Sequence, residues 1–283
     1  MTWSSASGRK ELEASLRRIG GSDDAAIDLA EAALFLAALD RPRVPLERYR
    51  HHLSLLARDT AELAAKLDPA SLDARAAALN SVIVERYGYE GDQLTYDDLQ
   101  NASLMRVIDR RKGLPVTLGI LYIHAARAQG WTIYGLNFPG HFLLRLELGG
   151  ERLILDPFVG GLHRDTAALR ELLKAISGNE AELKPEHYAP VGNRDILLRV
   201  QGNIKLRLLQ DKRPEEALAA VESMLMIAPG HAGLWREAGL LHAHLGNLRA
   251  AVMGLEQFLE LSRDDHGRHE AATLLQGLKL RLN

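Results

Sequence analysis

Residues 110–123, RRKGLPVTLGILYI, and residues 137–157, NFPGHFLLRLELGGERLILDP, decide how this chain folds. In the first stretch Gly113-Leu114-Pro115 opens a helix, because proline suits a first helical position whose N–H would go unbonded anyway. Val116, Leu118, Ile120, Leu121, Ile123, Ala125 and Ala126 leave little of the circumference polar, so the helix over 115–129 is predicted to be buried. After Gly130 the apolar period changes from helical to alternating. Strands are predicted over 131–137, 141–148 and 152–156, the last two joined by a two-residue turn at Gly149-Gly150. That turn sets Leu148 opposite Glu151, and the same register brings Leu143 opposite Asp156. His141, two residues along on that face, becomes a diagonal neighbour of Asp156. The two backbones are then roughly 7–8 Å apart, within reach of a side-chain hydrogen bond.

A carboxylate on an imidazole fixes the ring's tautomer and raises the basicity of its other nitrogen. Pairs of this kind arise both in catalysis and in packing, and the local pattern leaves both open. Leu143, Arg145, Arg152 and Ile154 share the face of the pair. Phe142, Leu144, Leu146, Leu148, Leu153 and Leu155 form the opposite face, which reads as core.

Upstream, the chain reads as helices. Ser22-Asp23-Asp24 is expected to cap a helix over 25–39, followed by helices from Pro45 or Leu46 to Leu67, from Ser71 to about Tyr87, and around 99–111. Residues 88–98, GYEGDQLTYDD, read as a polar loop, and 176–193 as a linker. Downstream, Ala217 and Ala251 stand 34 residues apart in helices that follow turns. Trp235, Gly239, Gly246 and Ala251 fall where tetratricopeptide repeats favour them, Pro229 closes a weaker first unit, and 266–282 would cap the array. The expected domains are 1–190, with a core about 72–175, and 191–283.

The 283 residues suffice for a buried core, with 47% apolar, 25% charged and 5% aromatic residues. A formal charge of -2 gives no basic excess to neutralise phosphates, so no nucleic-acid partner is expected. No apolar run approaches the ~18 residues of a membrane span, and the opening MTWSSASGRKELEAS lacks the apolar stretch of a secretory leader. The expectation is a cytoplasmic protein. With no cysteine in the sequence, neither a disulfide framework nor thiol chemistry is available to it.

Leu79-Asn80 through Tyr87-Gly88-Tyr89, Asn101, Arg110 to Leu118, Tyr122, Gly130 and Asn137 to Phe142 resemble the SirB family of bacterial transglutaminase-like proteins. The resemblance covers nearly the whole chain. It implies an α+β fold: a mostly helical transglutaminase-like core with a small antiparallel sheet, then an α-helical tetratricopeptide-type domain. Enzymes of the wider group place Cys two residues after a glycine, with Arg-x-x-Gly following. Gly113 and Arg127-Ala128-Gln129-Gly130 match those markers and put Pro115 at the cysteine position. His141 and Asp156 are then a retained catalytic dyad without its nucleophile.

Arg111, Asn137 and Thr117 are the residues expected to bind ligand beside the dyad. As a substitute nucleophile Thr117 is badly placed, about 200° around the helix from Pro115. His163 joins His141 and Asp156 as a ligand type for a metal, yet no H-x-x-x-H or H-E-x-x-H spacing is present, and no metal or cofactor is expected. The Arg110-Arg111-Lys112 cluster reads either as an anion site or as loop solvation with one ion pair. Three functions compete: a non-catalytic binding or regulatory protein with a protein or peptide partner, a hydrolase of peptide or amide bonds using His141 as general base on water with Asp156, and a structural scaffold.

Overall fold

The computed structural model describes residues 5–282; residues 1–4, the head of the stretch read for a leader, and residue 283 lie outside the described residues. Among the described residues there are twelve α-helices: α1 (Ser5–Gly20), α2 (Leu29–Leu39), α3 (Glu47–Ala64), α4 (Leu72–Asn80), α5 (Leu104–Arg110), α6 (Pro115–Arg127), α7 (Thr166–Ser177), α8 (Asn193–Gln210), α9 (Pro214–Ile227), α10 (Ala232–His244), α11 (Leu248–Leu261) and α12 (Asp265–Leu282). The strands are β1 (Glu90–Gly91), β2 (Lys112–Gly113), β3 (Thr132–Leu136), β4 (Leu143–Leu148), β5 (Glu151–Asp156), β6 (Leu162–His163) and β7 (Pro190–Val191). By packing, the described residues divide into a unit of 24–196 and a unit of 5–23 with 197–282. That division groups α1 with the repeats, apart from the rest of the 1–190 segment to which sequence order assigns it.

In the first unit β3 to β7 form one antiparallel sheet in the order β6-β5-β4-β3-β7, while β1 and β2 pair in parallel. Gly149 and Gly150 adopt positive φ (58° and 91°), as the tight turn requires, and Leu148 pairs with Glu151 and Leu144 with Leu155. The predicted register holds. The sheet has five strands rather than three because two stretches without a strand pattern add short edges: β6 folds back on β5, and β7, inside the expected linker, pairs with β3.

α6 and α4 cover one face of the sheet. Phe142 is fully buried there between two glycines: a Cβ on Gly119 or on Gly135 would stand 2.5 Å from its ring. Leu169 and Leu173 of α7 cover the other face, packing with Leu136, Phe138 and Leu143. The face of the dyad is therefore also a packed interior.

Several helix boundaries differ from the sequence reading. α2 is capped by Asp28, whose side chain accepts from Glu31 N–H. Asp24, expected among the caps of that helix, instead accepts the N–H groups of Asn193 and Arg194 at 2.8 Å each, across 169 and 170 residues. Beyond α4 the chain widens into a π-helix (Ser81–Arg86), with Tyr87 N–H bonded to Val82 O at 3.0 Å. α5 stops because Arg111 turns left-handed at φ 62°.

In the second unit α10 and α11 approach closely, a Cβ on Gly254 standing 3.0 Å from Gly239 Cα. Trp235 Nε1 donates to Pro229 O at 2.8 Å, and α12 packs on α11. α1 packs on α9, with Gly20 so near that a Cβ would meet Met226 O at 2.2 Å. Among the described residues no helix is long and apolar enough to cross a membrane.

Candidate functional site: a histidine–aspartate pair without a thiol

His141 sits in the bend just before β4, and Asp156 is the last residue of β5. The hairpin brings their side chains together, with His141 Nε2 2.9 Å from Asp156 Oδ1. Asp156 is 1% exposed, while the imidazole of His141 is 13% exposed. Oδ1 also accepts Phe158 N–H at 3.1 Å, and the main-chain oxygen of Asp156 accepts Gly161 N–H at 2.8 Å. These bonds make the Asp156-Pro157-Phe158 corner part of the site.

Arg164, which the sequence did not single out, holds the other carboxylate oxygen: Nε and Nη2 lie 3.2 and 2.8 Å from Asp156 Oδ2. Its return along β6 is what carries it back. Burial pushes the Asp156 carboxyl up, but the hydrogen bonds and charges of His141 and Arg164 outweigh it and hold the group below the usual carboxylate range. An ionised carboxylate only accepts, so the Nε2 that faces it carries a proton. The guanidinium of Arg164 offsets the charge of the buried carboxylate.

Tyr122 donates to Asn80 Oδ1 at 3.0 Å, and Asn80 Nδ2 donates to Gly161 O at 3.2 Å. Burial, and then the charge of Asp156, raise the Tyr122 phenol well above its ordinary value. Phe158 meets His141 edge-on, ring centroids 6.2 Å apart. It also packs on Gly91, where a Cβ would lie 2.4 Å from Phe158 O. Gly91 pairs with Gly113, two residues before Pro115.

Pro115 is buried at the first turn of α6. Thr117 is fully buried, its hydroxyl lying 2.7 Å from Asn101 O and 3.0 Å from Leu114 O, contacts that tie α6 to the preceding turn. Arg111 keeps different company from the dyad: Nη1 lies 2.7 Å from His52 Nε2 and bonds Tyr89 Oη, with the guanidinium over the Tyr89 ring at 4.7 Å. Its neighbours are ion-paired, Arg110 with Asp92 at 3.0 Å and Lys112 with Glu90 at 2.9 Å. Asn137 is exposed, and its N–H donates to Ala189 O at 3.0 Å.

His163 pairs with Leu155 across β5 and β6, so it lies on the face opposite Asp156. Among the described residues no three His, Asp or Glu side chains converge as a metal site. A shallow cavity of about 380 Å³ opens on the α4 side, lined by Asp73, Asn80, Leu155 and His163 among others; neither His141 nor Pro115 lines it.

The profile of the transglutaminase-like superfamily matches residues 47–202, and that of the tetratricopeptide repeat matches residues 204–276. A UPF0162 protein of Xylella fastidiosa (strain Temecula1) is 30% identical over 251 residues, covering 86% of this chain and 87% of that protein. A UPF0162 protein of Vibrio cholerae is 32% identical over 241 residues, 85% and 88% of the two chains. Protein SirB1 of Salmonella typhimurium is 26% identical over 196 residues, 69% and 72%. None of these names states an activity.

Proposed function

The chain belongs to the transglutaminase-like superfamily, and from that premise we propose that it is a non-catalytic member, a regulatory protein that binds a peptide or protein at His141 and Asp156. The observation that carries this reading is Pro115. A thiol at a helix start is activated by the dipole and the unbonded N–H groups. Proline there begins the helix and brings no nucleophile, and the sequence has no cysteine to substitute. Arg164 supports the same reading, because it shares with the imidazole the carboxylate that would orient a catalytic base. His141 then acts as a preorganised hydrogen-bonding group, its orientation held by Asp156. Tetratricopeptide repeats generally mediate protein–protein contacts, and the C-terminal helices fit a docking role for the same partner.

The test is binding of the full chain to an array of immobilised synthetic peptides of mixed sequence, compared with His141→Asn. A drop of about tenfold in affinity across the bound set is expected. Equal binding by both proteins overturns the role given to His141.

A hydrolase reading draws on the same 2.9 Å pair, with His141 as general base on water. A base alone supplies about 10²–10⁴-fold, far less than a nucleophilic triad. Its mark would be turnover that His141→Ala removes.

A further inference from the structure

Of three consecutive cations, Arg110 is paired with Asp92 and Lys112 with Glu90, whereas the side-chain partners of Arg111 are His52 and Tyr89, neither of them an acid. Arg111 is half-buried, and holding a cation partly out of water without a counterion is costly. The backbone adds to that cost. Arg111 closes α5 at φ 62°, a conformation that favours glycine, so an arginine there calls for a use of its side chain.

Only part of the guanidinium is engaged. Nη1 lies 2.7 Å from His52 Nε2 and bonds Tyr89 Oη, so its two N–H groups are spent on those acceptors. Nε and Nη2 have no bond to the protein among the described residues, and they reach the surface. Together they form the planar fork that grips two oxygens of one oxyanion. The fork is preset. The guanidinium lies over the Tyr89 ring at 4.7 Å and the Tyr87 ring at 5.7 Å. His52 and Tyr89 are buried, and the Tyr87 hydroxyl donates to Asp59 Oδ2 at 2.8 Å while its ring meets His52 edge-on at 5.2 Å. Little ordering is left to do on binding.

The surroundings carry surplus positive charge. Asp109, whose charge reaches Tyr89, is shared by Arg41 and Arg48, two guanidiniums against one carboxylate. Asp59 is likewise shared, by Arg58 and Arg86, and there Glu62 restores the balance by meeting Arg58 at 3.7 Å. Arg111 and the surplus at Asp109 thus leave two positive charges without an acid, which suits a dianion better than a single carboxylate.

We propose that Arg111, seated on Tyr87 and Tyr89, is an anion site that does not use the dyad, and that its ligand is a phosphate dianion, either free or as a small monoester. Nε and Nη2 hold two phosphate oxygens, and the surplus charge of Arg41 and Arg48 balances the second negative charge. The site stands whether or not His141 binds a peptide.

The probes are inorganic phosphate, phenyl phosphate and acetate, titrated into the full chain by calorimetry at matched ionic strength and about pH 8, where a phosphate monoester is a dianion. The phosphates are expected to bind at least about tenfold more tightly than acetate. Tighter binding of phenyl phosphate assigns a monoester as the ligand, and the reverse order assigns free phosphate; either upholds the site. Arg111→Gly puts at φ 62° the residue that favours it, so the variant is expected to stay folded and to lose at least about tenfold in phosphate affinity. Arg111→Lys keeps the charge without the fork and is expected to bind as weakly as Arg111→Gly. Arg48, 58% exposed, can be changed without disturbing His52 or Tyr89, and Arg48→Gln is expected to weaken binding by about threefold. No phosphate binding by the wild type, or equal affinity in Arg111→Gly, overturns the proposal. Acetate bound as tightly as phosphate, or unchanged affinity in Arg48→Gln, overturns the dianion. His141→Asn is expected to bind phosphate as the wild type does, and a loss there would move the anion to the dyad and overturn the site at Arg111.

Discussion

Replacing Arg164 with Gln removes the partner that sequence reading missed. In the wild type Asp156 is 1% exposed and accepts from His141 Nε2 (2.9 Å), Phe158 N–H (3.1 Å), Arg164 Nε (3.2 Å) and Arg164 Nη2 (2.8 Å). The substitution deletes two hydrogen bonds to an ionised carboxylate, each worth about 1.5–3 kcal/mol. Breaking a fully buried ion pair costs about 3–5 kcal/mol. The Arg164 side chain is 20% exposed, so water can enter behind the shorter side chain, and the expected loss is about 2–3 kcal/mol. The pH dependence has a definite sign. Because the folded Asp156 carboxyl sits below its unfolded value of about 3.9, its contribution is present above that pH and is lost as pH falls through the folded value. The deficit of Arg164→Gln should therefore be large at neutral pH and shrink in acid. Urea unfolding followed by Trp131 fluorescence, with Trp3 and Trp235 replaced by Phe, isolates the unit that holds the dyad, since the two units need not unfold together. Adding Asp156→Asn completes a cycle with an expected coupling of about 2 kcal/mol. A neutral-pH loss below about 0.5 kcal/mol, or one that acid leaves unchanged, would show that Arg164 does not stabilise the ionised Asp156 carboxylate.

Gly161→Ala places a Cβ 1.9 Å from Asn80 Oδ1 and 2.6 Å from Tyr122 Oη at φ +71°, and should cost about 2–4 kcal/mol in the same unfolding assay. A near-neutral result would mean that the 157–163 turn is not held against Asn80. His52, which burial and then the charges of Arg111 and His51 bring down to about 4, stays neutral when folded and charges on unfolding. Stability should fall by about 2–3 kcal/mol as pH drops from the unfolded value of about 6.5 through the folded one, and His52→Gln should flatten that slope. An identical pH profile in the variant would rule the effect out. Thr117→Val should cost about 1–2 kcal/mol through its bonds to Asn101 O and Leu114 O, with peptide binding kept. Binding lost at unchanged stability would return Thr117 to a ligand-binding role.

The hairpin was legible because Gly149-Gly150 sets a register that alternation then carries to Asp156, and the 34-residue interval from Ala217 to Ala251 exposed the helical repeats. Local pattern did not reach Arg164, whose role depends on β6 folding back, nor Asp24, which caps a helix some 169 residues away. Arg111 looked like a pocket residue because three adjacent cations suggest an anion site. Its left-handed turn at the end of α5 instead sends it to His52 and Tyr89. β7 was hidden in a stretch with prolines and glycines, since a two-residue edge strand carries no alternation to read.

A histidine–aspartate pair persists here without a cysteine nucleophile, and the role proposed for it is binding. The most direct measurement is turnover of casein, simple amides and activated esters by the purified full chain, beside His141→Ala and Asp156→Asn. Rates indistinguishable from those of the variants are expected in every substrate class. Turnover above buffer that His141→Ala abolishes, with the variant still folded, would contradict it.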